Sequence, residues 1–365
     1  MALVRCIKTF HITKAVIWSI KWSFFGDFLV SCGVDGCIFI WAQRSSNICF
    51  NFRVRSVLDR NIFRTWNYVR VIHSKKSNGT YRDLSFSPND YQFAICSFNG
   101  NIDIFKIYLS QKNHSISLKN LTTLKGNATE LKECDFSADG SNFIACSRDK
   151  IVWNWTRTSS KNFQCIFVLM DHESDIKQIC WHPAFGILIT ATYDGFLRIF
   201  RKNNQDMLLI ISLKFSAFSI FSMSTDENGN KIIFGTGKGE LFYLPFKKNI
   251  ITRHKLINQG NKNFLFFSIG RDIIHCFQTS KSIALSGLSG DDDSLHILKI
   301  NNIWAKNTCN ILYYQGSKFN RAVFIENSII RAHLGNPTDI AWHPRNENVM
   351  ASCGEDSVIR IWCFL

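Results

Sequence analysis

Short runs in which apolar and polar residues alternate recur along the chain. Ile176-Lys177-Gln178-Ile179-Cys180-Trp181 is one of them. Runs with a period of two, bounded by turn residues, predict strands. Several end on an aromatic and are followed by a turn that often holds proline, as in Ser87-Pro88, His182-Pro183 and His343-Pro344. A second kind of run ends on a large residue, with a turn residue six positions before that end. The pairs are Asp35/Trp41, Asn99/Phe105, Asp149/Trp155, Asp194/Phe200 and Asp356/Trp362, with weaker members at Lys238/Leu244 and Asp292/Leu298.

The two patterns keep step. Thirteen residues before the turn residue stand Trp22, Phe86, Phe136 and Trp181, and Trp342 precedes Asp356 by fourteen. Each unit therefore reads strand a, turn, strand b, tight turn, strand c, then a fourth strand d, as in Cys165 to Leu169. Four strands in about 40–45 residues is the signature of a β-propeller blade. Seven units predict an all-β, seven-bladed propeller forming one domain over residues 1–365, with insertions near 59–75 and 301–325. The last unit ends three residues after Trp362 and lacks a strand d. Residues Leu3 to Phe10 are expected to supply it, so that the N-terminal strand pairs with the last blade and closes the ring.

Composition adds little against this reading. Apolar residues make up 46% of the 365, including 32 Phe and 10 Trp. The start of the chain lacks the apolar run of a signal peptide. The longest apolar region, Leu208 to Met223, is interrupted by Ser212, Lys214, Ser216 and Ser219, too polar to span a bilayer. These features predict a cytoplasmic protein, with the nucleus as a further location, and no membrane partner. The net charge of +15 is uneven: residues 44–82 hold nine Lys or Arg and one acid, Asp59.

Candidate chemistry is sparse. Thirteen cysteines contain no C-x-x-C pair. Cys32, Cys96, Cys146 and Cys353 instead stand three residues before their own turn residue, where other units have Ala191, Ser289 and Gly235. That slot calls for a small side chain between blades, so no metal and no cofactor are expected. Gly235-Thr236-Gly237-Lys238-Gly239 resembles a phosphate loop but no helix follows it, and Asp291-Asp292-Asp293 lacks the rest of a calcium loop. No nucleophile, base and orienter come together, so no catalytic residue is assigned and the chain is not expected to be an enzyme.

His172 and His333 precede strand a of their units. In WD repeats such a His forms one hydrogen-bonded set with a strand-b Ser or Thr, the turn Asp and the strand-c Trp. The structural residues matching this set are His172, Asp194, His333, Asp356, Trp362, Asp35, Trp41, Asp149 and Trp155. The third unit has Gly126-Asn127 in place of Gly-His. The fifth has lost His, Asp and Trp, so blades five and six are expected to rest on apolar packing.

Between Leu121 and Arg201 the resemblance narrows. Thr122-Thr123-Leu124-Lys125-Gly126, then Ala145-Cys146-Ser147-Arg148-Asp149-Lys150-Ile151-Val152-Trp153-Asn154-Trp155, and later Trp181-His182-Pro183 closely resemble the WD-repeat protein of the cytosolic iron–sulfur protein assembly machinery. Leu29 to Asp35, Ala332-His333 and Ala351 to Asp356 fit the same family, whereas residues 44–120 and 202–331 match only as propeller. The resemblance implies a non-catalytic scaffold of a targeting complex. Its implied partners are a small cluster-targeting protein, a HEAT-repeat adaptor, and the iron–sulfur apoprotein clients in cytosol and nucleus.

Two alternatives stay open: a WD scaffold of another assembly, such as a ubiquitin ligase or chromatin complex, and direct nucleic-acid binding by segment 44–82, whose Phe52, Phe63, Trp66 and Tyr68 are interleaved with arginines. Aromatics packed inward explain that segment without nucleic acid. For protein partners, the face bearing the b–c turns is the expected surface. The residues just before each turn residue are Val34, Phe98, Arg148, Tyr193, Gly237, Asp291 and Glu355. Arg148 is expected at the centre, because Arg and Tyr dominate interface energetics. In the resembling family the Arg of the Ser-Arg-Asp-Lys string is a functional surface residue.

Overall fold

The computed structural model describes residues 4–11, 15–43, 66–73, 79–88, 90–110, 115–126, 129–159, 161–183, 186–203, 206–225, 228–229, 231–238, 240–245, 265–268, 272–278, 282–288, 294–300, 324–331, 333–346 and 348–364. All regular structure among them is β. It begins with β1 (Val4–His11). The first sheet is β2 (Ile17–Trp22), β3 (Phe28–Gly33), β4 (Cys37–Gln43) and β5 (Trp66–His73). The second is β6 (Tyr81–Phe86), β7 (Gln92–Ser97), β8 (Ile102–Ser110) and β9 (Ser115–Leu124). The third is β10 (Leu131–Phe136), β11 (Asn142–Ser147), β12 (Val152–Arg157) and β13 (Phe163–Leu169). The fourth is β14 (Ile176–Trp181), β15 (Ile187–Thr192), β16 (Phe196–Asn203) and β17 (Asp206–Lys214).

The fifth sheet is β18 (Ile220–Thr225), β19 (Lys231–Thr236), β20 (Glu240–Pro245) and β21 (Leu265–Ser268). The sixth is β22 (Asp272–Gln278), β23 (Ser282–Leu288), β24 (Ser294–Ile300) and β25 (Phe324–Arg331), described in its backbone only. The seventh is β26 (Pro337–Trp342), β27 (Val349–Gly354) and β28 (Val358–Phe364), completed by β1. β1 runs antiparallel to β28 from Val4↔Phe364 to His11↔Val358, with a bulge between Cys6 and Lys8. The chain is an all-β propeller. Among the described residues no helix is long and apolar enough to cross a membrane.

The apolar core lies between sheets. Ile17, Trp22 and Trp41 of the first sheet meet Ala351, Ile359 and Ile361 of the seventh. Val30 and Ile40 meet Leu84 and Phe93 across the next gap, and Ala94 and Ile104 meet Phe136 and Phe143 across the one after. Ile144 and Val152 meet Ile179 and Leu188 between the third and fourth sheets. Ile189 and Leu197 meet Met223 and Phe234 between the fourth and fifth. Strand b is covered on both faces, so β3, β7, β11, β15 and β27 are buried at every position. Their sequences are accordingly almost wholly apolar or small, as doubly covered strands require. The outer strand β13 instead alternates half-buried and exposed positions from Phe163 to Ile166 and is buried only at Leu169.

The b–c turns share one backbone geometry. The residue after the turn residue is left-handed: Gly36, Gly100 and Gly195, and also Lys150 and Ser357, at φ values of 70° and 61°. That conformation favours glycine, and it fixes where the residue on the other side of the turn Asp is presented.

Candidate protein-interaction face and channel rim

The residue before each turn residue is tied to the segment that leads into strand a. Val34 N donates to Val16 O, Phe98 N to Thr80 O, Arg148 N to Glu130 O and Tyr193 N to Asp175 O. Gly237 N donates to Ser219 O and Glu355 N to Asn336 O, so six positions of the expected ring occupy one equivalent place in six sheets. Asp291, the seventh, lies outside the described residues. Val34, Phe98 and Tyr193 are 42%, 53% and 56% exposed, large apolar or aromatic side chains turned to solvent. Phe218 and Leu334, in the segments entering strand a of the fifth and seventh sheets, add to them at 47% and 84%. Arg148 is exposed and makes no ion pair among the described residues. Glu355 accepts a hydrogen bond from Asn336 Nδ2 at 3.0 Å.

Inside this ring opens a cavity of about 1070 Å³, lined by strands a of six sheets. The second position of strand a holds Trp18, Arg82, Lys132, Lys177, Phe221 and Thr338. Arg82 lies over the Trp18 ring at 4.2 Å. Arg82 Nε and Lys132 Nζ both reach the buried Glu130 carboxylate, at 3.5 and 2.7 Å. Lys177 Nζ sits 4.9 Å from the centre of the Tyr193 ring. Arg82 is the last residue of the basic segment 44–82. It faces this cavity, while residues 44–65 and 74–78 lie outside the described residues.

Below the rim runs a belt of acids. The inner edge of each strand a has backbone N–H groups with no strand beyond them, and such groups need partners. Asp339 accepts from Ile20 N at 2.9 Å, Asp83 from Cys134 N at 3.1 Å, Glu133 from Ile179 N at 2.7 Å and Asp135 from Trp181 N at 2.9 Å. Ser85 Oγ accepts from Phe136 N in the same way. Lys21 Nζ lies 2.7 Å from Asp339. Burial raises the carboxyl pKa of Asp83 and Glu133, and pushes Asp135 up to about 7 against the opposing hydrogen bonds from Trp181 and Ser85. Sequence reasoning missed both rim and belt. An acid in an alternating strand reads as solvent-facing, and only the arrangement of the sheets shows that its face lines the cavity.

The polar set beside the seventh sheet is complete. His333 Nδ1 donates to Asp356 Oδ1 at 2.9 Å, Ser352 Oγ lies 2.8 Å from His333 Nε2, and Trp362 Nε1 donates to Ser352 Oγ at 2.9 Å. Arg360 Nη1 reaches Asp356 Oδ2 at 3.0 Å. Burial alone would raise the Asp356 pKa, but the hydrogen bonds from His333 and Arg360 hold it well below the usual carboxylate range.

The family model "WD domain, G-beta repeat" matches residues 4–42, 118–156, 163–201 and 326–363. The chain carries WD repeats. "Probable cytosolic iron-sulfur protein assembly protein 1" of Botryotinia fuckeliana is 32% identical over 85 residues, which is 22% of this chain and 20% of that protein. The protein of the same name in Sclerotinia sclerotiorum is 30% identical over 86 residues, 22% of this chain and 19% of that protein. The chain thus matches about a fifth of the length of these relatives. "Protein transport protein sec13" of Aspergillus fumigatus is 22% identical over 243 residues, 61% of this chain and 73% of that protein.

The other WD sets are partial. In the fourth sheet His172 Nε2 reaches Thr190 Oγ1 at 2.9 Å, and Asp194 accepts from Thr192 Oγ1 instead of from His172. Asp149 likewise accepts from its neighbour Ser147, and Trp155 Nε1 has no partner among the described residues. Asp35 accepts from Cys37 N at 3.0 Å, and Trp41 is fully buried against Phe10 and Phe39. Leu244, Leu298 and the Asp292 turn fall outside the described side chains. The slot cysteines Cys32, Cys96, Cys146 and Cys353 are fully buried. Burial raises their thiol pKa values and so disfavours the thiolate that a metal would need. Among the described residues no group of three or more His, Cys, Asp or Glu could hold a metal. His182 and His343 brace the turns of the following sheets: their Nε2 atoms donate to Gly229 O at 2.6 Å and Gly26 O at 3.1 Å.

Proposed function

We propose that this protein is a non-catalytic scaffold for cytosolic iron–sulfur cluster targeting. It is a seven-bladed propeller whose ring is closed by β1. It works in the cytosol and also in the nucleus. Its partners are a small cluster-targeting protein and a HEAT-repeat adaptor, and its clients are iron–sulfur apoproteins. The cluster is cargo of the assembly this scaffold serves.

The observation that carries the reading is Arg148. The Ser147-Arg148-Asp149-Lys150 turn presents its guanidinium to solvent, free of any ion pair among the described residues. Tyr193 and Phe98 hold the equivalent places on the two neighbouring sheets, both more than half exposed. A planar cation flanked by exposed aromatics is the composition of an interface centre. The Botryotinia and Sclerotinia relatives supply the assembly. The match to the Aspergillus sec13 protein spans more of the chain and supports the second reading, a WD scaffold of a different complex.

Affinity capture of the tagged full chain, followed by mass spectrometry, separates the two. Recovery of the cluster-targeting partner or the HEAT-repeat adaptor is expected, and Arg148→Glu should weaken capture at least tenfold while circular dichroism stays unchanged. Capture of another assembly in their place, or undiminished capture by folded Arg148→Glu, overturns the assignment.

A further inference from the structure

The cationic rim is not used by the scaffold reading. Arg82, Lys132 and Lys177 occupy the same register position on β6, β10 and β14, in three consecutive sheets. Glu130 draws the first two together. The ammonium pKa of Lys177 is lowered by burial and then by repulsion from Lys132, with Arg82 adding to it, while Asp175 pulls the other way. Arg148 lies beside this group, its N–H bonded to Glu130 O. Arg148 joins the group through its backbone only, so Glu130 and Asp175 face three cations, and this side of the rim keeps one positive charge in excess, with Glu355 on the wall of the seventh sheet and bonded to Asn336.

The site is also recessed. The Arg82 and Lys132 side chains are 29% and 15% exposed. The Arg82 guanidinium lies 4.2 Å from the centre of the Trp18 ring, and Phe221 lines the mouth at the same register position on β18. Aromatic walls exclude water and strengthen the field between them. The acids beneath do not cancel it: Asp339 is paired with Lys21, and Asp83, Glu133 and Asp135 direct oxygens to backbone N–H groups, with their charged forms disfavoured by burial.

We propose that the channel mouth binds a compact phosphate-bearing anion, held by Arg82, Lys132 and Lys177 between Trp18 and Phe221. Three cations converging from three strands suit a group with several charged oxygens, and the Arg fork can engage two of them at once. A flat membrane surface cannot descend to side chains set this deep. The phosphates come from a linear polyphosphate or from a phosphorylated ring, and the two differ in shape.

The test is titration calorimetry of the full chain with tripolyphosphate in one arm and myo-inositol hexakisphosphate in the other, at about 0.1 M salt. Saturable one-to-one binding of at least one anion is expected, with the tighter arm naming the source. Affinity should fall steeply with added salt. Lys177→Gln should weaken binding about tenfold without moving the thermal midpoint, Lys132→Gln should weaken it by a similar factor, Glu130→Gln should tighten it, and Lys161→Gln, on an exposed turn, should leave it unchanged. Absence of saturable binding in both arms overturns the proposal, as does binding that Lys177→Gln leaves intact. Partner capture by the wild-type chain does not depend on this result, so the two readings fail separately.

Discussion

The fourth and seventh sheets carry nearly the same polar residues and use them differently. His172, Thr190, Asp194 and Arg198 in one correspond to His333, Ser352, Asp356 and Arg360 in the other. In the seventh, a relay runs from Trp362 through Ser352 and His333 to Asp356. In the fourth, it stops at His172, whose Nδ1 has no hydrogen-bond partner among the described residues. Two positions decide the outcome. Gly354 leaves the space that His333 needs: a Cβ there would stand 2.8 Å from Nδ1 and 3.0 Å from Asp356 Oδ1. The fourth sheet has Thr192 at that position, and its hydroxyl takes the Asp194 carboxylate itself. Phe200 replaces the Trp donor, and Arg198 lies over the Phe196 ring at 4.8 Å rather than reaching its aspartate. A repeat motif is thus a set of residue types whose network depends on the one small residue between them.

The most direct way to break the contrast is Gly354→Thr, which gives the seventh sheet the fourth sheet's filler. It should separate His333 from Asp356 and leave His333 Nδ1 buried without that acceptor, while Asp356 keeps Arg360 and the Leu334 N–H. The expected loss is about 3–5 kcal/mol, the overpacking of the added side chain together with the lost buried hydrogen bond, read as a lower urea midpoint. A midpoint equal to wild type would show that the relay contributes nothing.

The contrast should also sharpen with pH. Burial, with Arg198 adding to it, lowers the His172 pKa to about 4. The unfolded value is near 6.5. Because the folded value is the lower one, the stability held by neutral His172 is complete above pH 6.5 and is lost as pH falls toward 4. Asp356 is also lowered, but as an acid its contribution is complete above about pH 4 and lost only below. His172→Gln should therefore flatten the stability profile between pH 6.5 and 4 by about 3 kcal/mol relative to wild type. Parallel profiles for the two proteins would count against a buried neutral imidazole.

Trp362→Phe is the smallest change. It imposes the fourth sheet's aromatic on the seventh and removes one hydrogen bond to Ser352. A loss of about 1 kcal/mol is expected, with His333 still bonded to Asp356 in the imidazole nitrogen shifts. Loss of that bond would mean the Trp donor orients the whole relay.

Strands and turns were legible because burial on both faces leaves strand b apolar, and because the turn residue sits at a constant distance from the strand-c end. The equivalent placement of the residues before each turn residue was legible to the same degree, because that position has no choice of side; their use as an interface is the proposal made above. The rim was not. Arg82, Lys132 and Lys177 sit in strands whose alternation says only that they leave the inter-sheet core, and nothing local distinguishes bulk solvent from a channel. The relay of the seventh sheet was expected, but its interruption in the fourth was not, because Thr192 and Gly354 both count as small turn-flanking residues until their Cβ positions are known.

The belt of acids has a direction. Asp339, Asp83, Ser85, Glu133 and Asp135 each accept from a strand of the sheet that follows, and His182 and His343 reach forward in the same sense. Sheets are therefore not interchangeable modules. Transplanting one into another propeller would leave its own inner N–H groups dependent on the host's preceding sheet, while the guest's acids would have to match the sheet after it. A graft that keeps strand a together with the preceding sheet's strand a carries its partners with it, and a graft cut at the sheet boundary leaves them behind.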